Sequence, residues 1–390
     1  MRKIYYLFIL CVGFSTCSEP YDHEINDFED ILIVQGLLTN DIGPYSVYLS
    51  KTISLGSDSL IFVQDAIVTI MDQLGNVELL TEVEPGHYIT DPGFITNIGY
   101  EYQLSIKTTD DLQYISDPVA LNEGPTIDRL YTEYKEEYHF ETNEYLKGVS
   151  IKANSTNWNN DQENLYFKWD YEETWELEQR WNGFEFFLGE SPLVDYSGGN
   201  SDEVCWSKDY STDIILDEMA NFSSNNINGK EIVYLNELNY KPFYGYSILV
   251  KQFIINESIY KFWTFLKENN IENGDVFDNI PYNATSNIEC INNKDEKVYG
   301  YFDAAYRSEK RLSFISPVHD VAFANINDRC RASNMELATF KQQIFGATPI
   351  YAITISLVQD DERIIFTHQK YCVDCLEICS TENKPSYWIF

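Results

Sequence analysis

Between residues 100 and 106 the chain reads "YEYQLSI". Tyr100, Tyr102, Leu104 and Ile106 alternate with the polar Glu101, Gln103 and Ser105. A period of two fits an extended strand with one face buried and the other in water, and it excludes a helix over this stretch. The same character runs through the first third of the chain. "ILIVQGLLT" and "YSVYLSKT" are rich in β-branched and aromatic residues and are separated by the turn "NDIGP". "DAIVTIMDQLGNVELLTEVEPGHYIT" breaks into short runs at Leu-Gly-Asn and Glu-Pro-Gly, and "YEYQLSIKTTDDLQYISDPVAL" folds back around Thr-Asp-Asp. Short strands with turn signals about every 8–12 residues predict an Ig-like β-sandwich, here over residues 29–122.

Gly124-Pro125 in "LNEGPTID" stops the last of these strands, and a larger β-rich domain is expected over residues 126–390. Its strand candidates are "LKGVSIKANS", "NLYFKWDYEETWEL", "TDIILDE", "KEIVYLNEL" and "FYGYSILVKQFII", followed later by "KVYGYFDAAYRS" and "KRLSFI", read as a hairpin. One helix stands out in "NESIYKFWTFLKENN". Ile259, Phe262, Trp263 and Leu266 recur at helical spacing, Asn256 is placed to cap, and Glu257 suits the positive N-terminal end. The fold class is mainly β, with one or two helices.

The N-terminus decides the compartment. Arg2 and Lys3 precede the apolar run Ile4–Phe14, then Ser15, Thr16 and Cys17. A bilayer span needs about 20 apolar residues, so this shorter run reads as a removable signal. The order basic, apolar, small, Cys predicts a lipoprotein signal peptide over residues 1–16, with Cys17 acylated. Ordinary secretion with a free Cys17 is the alternative. Residues 17–28 are a polar, acidic tether. Outside the cytoplasm the remaining cysteines, Cys205, Cys290, Cys330, Cys372, Cys375 and Cys379, read as a disulfide framework whose pairing the sequence does not choose. Three of them crowd into "CVDCLEIC", and three cannot all pair among themselves, so the tail should reach back to the body. His368 with Cys372, Cys375 and Cys379 leaves a Cys3His zinc site open as the rival reading.

Chemistry is harder to find. The formal charge of −35 offers no basic face for nucleic acid. The sequence has no HExxH, GxSxG, P-loop or GxGxxG signature, and no cofactor is indicated. With 62 acidic residues, some carboxylate pair of hydrolase geometry could arise anywhere, so such a pair carries little weight. Aromatics are the more suggestive feature. In "WNNDQENLYFKWDYEETWELEQRWNGFEFF", Phe167, Trp169 and Tyr171 share one strand face and read as core. Trp181, Phe184, Phe186 and Phe187 have no clear period and are candidates for contact with a partner or ligand. Asp58-Ser59-Leu60 makes Ser59 a candidate O-glycosylation site.

Taken together, "ILIVQGLLTNDIGPYSVYLSKT", "EPGHYIT", "YFKWDYEETWE", "YSILVKQFIINESIYKFWTFLKENNIENGDVFD", "VYGYFDAAYRSEKR" and "CVDCLEICSTENKPSYW" resemble a Bacteroidota lipoprotein family, domain of unknown function 4249. Similar proteins usually have a glycine pair where "EICST" stands here. The resemblance implies an outer-membrane location, no established activity and, as a partner class, TonB-dependent β-barrel transporters. It supplies no catalytic residues. The expectation is a non-enzymatic, lipid-anchored accessory or ligand-capturing protein. A surface hydrolase using paired carboxylates and a structural adhesin are the alternatives.

Overall fold

The computed structural model describes residues 31–51, 61–155, 164–178, 180, 184–186, 194–195, 204–222, 226–269, 286–331, 333–336, 350–358, 361–367, 370–372, 377–381 and 383–390. The protein is mainly β, with one α-helix among these residues.

A ten-stranded sheet forms the spine. Its order is Val204–Tyr210, Tyr166–Glu178, Tyr246–Ile255, Val298–Phe314, Leu32–Thr39, Ser46–Lys51, His87–Ile89 and Thr81–Glu84, with Ile215–Glu218 and Ile61–Phe62 added at its sides. The central strand, Val298–Phe314, corrects the expected hairpin at "KVYGYFDAAYRS…KRLSFI". It runs 17 residues without turning because each half has its own partner. Its first half lies parallel to Leu32–Thr39, from Val298 opposite Leu32 to Ala305 opposite Thr39. Its second half lies antiparallel to Tyr246–Ile255, from Tyr306 opposite Ile254 to Phe314 opposite Tyr246. Gly300 makes the parallel pairing possible. Its φ is +91°, and a Cβ there would sit 1.8 Å from the carbonyl oxygen of Val34.

The first part of the chain is sandwich-like. The alternation at 100–106 is used as expected: Tyr102, Leu104 and Ile106 are buried against Leu32, Val34, Val47 and Leu49 of the spine. The opposing six-stranded sheet contains Ile288–Cys290, Gln113–Ser116, Glu101–Lys107, Ile67–Asp72 and Val77–Leu79. Pairing therefore continues across the boundary expected near Gly124. Ile288–Cys290 extends one sheet of the sandwich, and Val298–Ala305 extends the other.

A second core lies between the other half of the spine and a three-stranded sheet of Arg129–His139, Glu144–Ser155 and Ile227–Asn236. Phe167 and Trp169 are fully buried in it, their rings stacked at 5.5 Å, with Tyr171 packed alongside. The helix, Glu257–Asn269, covers the opposite face of the spine with Ile259, Phe262, Trp263 and Leu266, the four residues its period selects. Its cap differs from expectation. The Asn256 carbonyl accepts from Tyr260 N, but the Asn256 carboxamide turns away and donates to Asp303 Oδ1 at 2.6 Å. Val298–Ala305 is thus covered on both faces, which explains why "VYGYFDAA" has no polar–apolar alternation.

Candidate functional site

The clearest exposed constellation is at the free end of the hairpin Arg129–His139/Glu144–Ser155. The two strands pair in unbroken register from Arg129 opposite Asn154 to His139 opposite Glu144. Their base is core, with Leu130, Val149, Ile151 and Ala153 buried. The third strand pairs only from Ser155 back to Gly148. Beyond Gly148 the hairpin has that one flanking strand no longer, and its apolar side chains face water.

Those side chains are aromatic. Phe140 is 86% exposed and Tyr145 is 70% exposed, with Tyr134 and Tyr138 about half as much. Tyr138 and Tyr145 are direct cross-strand partners with ring centroids 5.4 Å apart, and Phe140 meets Tyr138 edge-on at 5.1 Å. Cross-strand aromatic pairs of this kind contribute roughly 0.2–1 kcal/mol to the hairpin and hold its rings in place. The turn is fixed by Asn143, at φ 57°, whose N–H donates to the His139 carbonyl at 2.9 Å and whose Oδ1 accepts from Tyr138 Oη at 2.5 Å. The rings are therefore presented rigidly, which lowers the entropy lost when a partner closes over them.

Acid surrounds them. Glu133, Glu136, Glu137, Glu141 and Glu144 lie on or beside the hairpin end. Glu136 accepts from the Tyr134 hydroxyl and raises that phenol to about 12. Lys135 is already engaged, donating to both Glu231 oxygens at 2.8 Å and to Glu137. Burial pushes the Lys135 ammonium down, but its bonds to the two glutamates outweigh this and hold its pKa above the ordinary lysine value. The surface is apolar at its centre and negative at its rim.

The C-terminal tail is the second feature. Cys379 is bonded to Cys205, and Cys372 to Cys330. Cys372 and Cys379 thus both reach back to the body, where parity required at least one of the three tail cysteines to do so, and the zinc reading loses two of its ligands to disulfides. The tail then lies along the spine: Trp206 N donates to Thr381 O at 2.8 Å, and Trp388 Nε1 donates to Glu176 Oε2 at 2.8 Å. Arg311 covers the Tyr387 ring at 3.7 Å.

Cys290 departs from the expected framework. It is a free, buried thiol in the sandwich core, where its strand pairs with Gln113–Ser116, and its Sγ donates to Asn292 Oδ1. Its strand places it in the core that contains none of the four bonded cysteines.

Of the aromatic candidates, Phe184 and Phe186 lie in the strand Phe184–Phe186, paired with Ile350–Val358; their side chains, like Trp181 and Phe187, lie outside the described residues. Cys17, Ser59, His368 and Cys375 lie outside them too. The hairpin end was missed in the sequence. "YHFETNEY" does carry a turn flanked by aromatics, but its exposure depends on where a strand some 90 residues away stops pairing. Among the described residues, no group of three or more His, Cys, Asp or Glu side chains could hold a metal ion. A search of curated proteins returns no match. Residues 18–311 match the family model "Domain of unknown function (DUF4249)", and the chain belongs to that family.

Proposed function

We propose that this protein works by contact, as a lipid-anchored outer-membrane protein that serves as an accessory or ligand-capturing partner of a TonB-dependent transporter. Anchoring through Cys17 would restrict the body to two dimensions, where a modest interface gains from effective concentration. The observation that supports contact is the rigid aromatic end built from Tyr138, Phe140 and Tyr145. Exposed, pre-ordered aromatics are the side chains that dominate binding energy when a partner's pocket closes over them. Their acidic rim selects a pocket bordered by Lys and Arg, since like charge across an interface is costly. A β-barrel loop surface of that character is the partner this reading requires.

A photo-crosslinking residue at the exposed position 141, in intact cells, should capture a β-barrel protein. Phe140→Ser with Tyr145→Ser should weaken capture by about thirty-fold, the loss of a single hot spot worth about 2 kcal/mol. The fold should be unchanged, because neither ring belongs to a core. Capture of no barrel, together with cleavage of a surface glycan by the purified protein, would instead establish the hydrolase reading.

A further inference from the structure

One flank of the sandwich is covered by nothing among the described residues. Val77–Leu79 is the last strand of the six-stranded sheet and pairs on one side only, with Ile67–Asp72. Met71 lies directly opposite Val77, and Leu79 is two residues along, so these three side chains share the outer face. Val77 and Leu79 are 62% and 64% exposed, and Met71 and the turn residue Leu74 are exposed beside them. The patch continues around the edge. Val77 borders a groove of about 120 Å³ whose lining also includes Ile95, and Ile95 forms a bridge pair with Ile42. Both isoleucines are exposed. Single aliphatic residues on a surface are ordinary, whereas a run of them from adjoining segments marks an interaction surface.

The backbone is open along the same flank. Leu80 N donates to Val68 O, and Asp72 N donates to Asn76 O. In an antiparallel ladder this phase makes Glu78 the residue that bonds to Ile70. Val77 and Leu79 alternate with it, so their N–H and C=O groups face the open edge. Such an edge is a template for an added strand. The alternation of the edge strand also sets the pattern of what it would accept. Apolar side chains belong beside Val77 and Leu79 on the outer face, and a side chain suited to a carboxylate belongs beside Glu78 on the other.

Charge narrows the choice. No Lys or Arg occurs from Thr52 to Ile106, a stretch that contains all of the patch except Ile42. Glu78 accepts from Asp91 N at 2.7 Å, and Asp72 accepts from Leu74 N at 2.9 Å at the start of the turn. Lys107, in the same sheet, is paired with Asp111 at 2.9 Å, and Arg307 is paired with Asp41 at 2.7 Å. A second copy pairing through this edge would bring two acidic flanks together, and an anionic membrane surface would be repelled. We propose that this flank binds an extended, basic segment of a partner protein by strand addition, its aliphatic side chains lying beside Val77 and Leu79 and its Lys or Arg side chains reaching Glu78 and Asp91. The surface belongs to a different sheet from the aromatic hairpin and rests on no part of the contact reading.

The test is fluorescence anisotropy of short labelled peptides with the full protein, at neutral pH and physiological salt. The peptides alternate Val with Lys, Val with Glu, and Ser with Lys. The Val-Lys peptide should bind saturably and the Val-Glu peptide should not. The Ser-Lys peptide should bind at least about tenfold more weakly, the factor expected for burying one aliphatic side chain. Val77→Ser with Leu79→Ser should weaken Val-Lys binding by about tenfold or more on the same ground, and both side chains lie outside the core. Leu79→Pro removes an outward N–H, a change that edge strands tolerate, and should also weaken binding by about tenfold. No saturable binding of the Val-Lys peptide, equal binding of either control peptide, or full affinity in either variant would each overturn the proposal. Self-association of the wild type that Leu79→Pro abolishes would put a second copy on this flank and overturn it too.

Discussion

Asp303 shows how one side chain can set a pH dependence. Burial pushes its pKa up to about 6, against the opposing bonds from Asn256 and Ala304. Lys168 and Asp170 line the same small cavity under the helix, and Tyr301 precedes it on the same face. Because the folded pKa lies above the ordinary carboxyl value of 3.8, the folded state holds the proton more tightly between those two values. Its contribution to stability is therefore fully present below about 4 and is lost as pH rises through about 6, by at most about 3 kcal/mol. Urea midpoints of the wild type and Asp303→Asn, compared from pH 4 to pH 7, should show this slope flattened in the variant. Gly300 makes a conformational demand at the same scale. With φ at +91° and Val34 O where a Cβ would stand, Gly300→Ala should cost about 3 kcal/mol or more, read from the urea midpoint at neutral pH.

Among the elements, the tail and the helix contrast. The helix was legible because its four apolar positions repeat locally and pack as one stripe. The tail's destination was legible only as far as parity went: of three crowded cysteines, at least one must look outward. Which partners they take depends on the fold bringing Cys205, on a spine strand, and Cys330, just after the turn Ile326–Arg329, beside them. Alkylation of the unreduced protein should find Cys205, Cys330, Cys372 and Cys379 blocked, and Cys290 reactive only after denaturation. Cys330→Ser should destabilise by about 4 kcal/mol in the chain-entropy model for a loop of this length. The loss should appear as a lower midpoint of the one cooperative transition, because Val298–Phe314 ties the sandwich to the rest of the spine.

For the molecule as a whole, the decisive element is Val298–Phe314. It belongs to both halves of the spine, so the sandwich at the start of the chain is completed by residues near its end. A fragment of residues 31–125 would expose the edge of Leu32–Thr39 that Val298–Ala305 covers. It would also lose Ile288–Cys290 from beside Gln113–Ser116. Unpaired edges of this kind favour association over folding. Circular dichroism should show no cooperative melt for that fragment, whereas the full chain melts cooperatively. A sharp transition in the fragment would show that the first sandwich folds without its late strands.

Residue order alone carried the features whose period is short. Alternation named the buried face of the strand at 100–106, the i, i+3, i+4 pattern named the helix face, and parity sent at least one tail cysteine toward the body. Strand partnership is different in kind. The pairing of Leu32 with Val298 and the truncated third strand that bares Phe140 are contacts between distant segments, fixed by how whole sheets bury their apolar faces. The same burial placed Asp303 under the helix and left Cys290 without a sulfur to meet among the described residues. Local periodicity says which face of a strand is apolar; only the packed sheets decide what covers it.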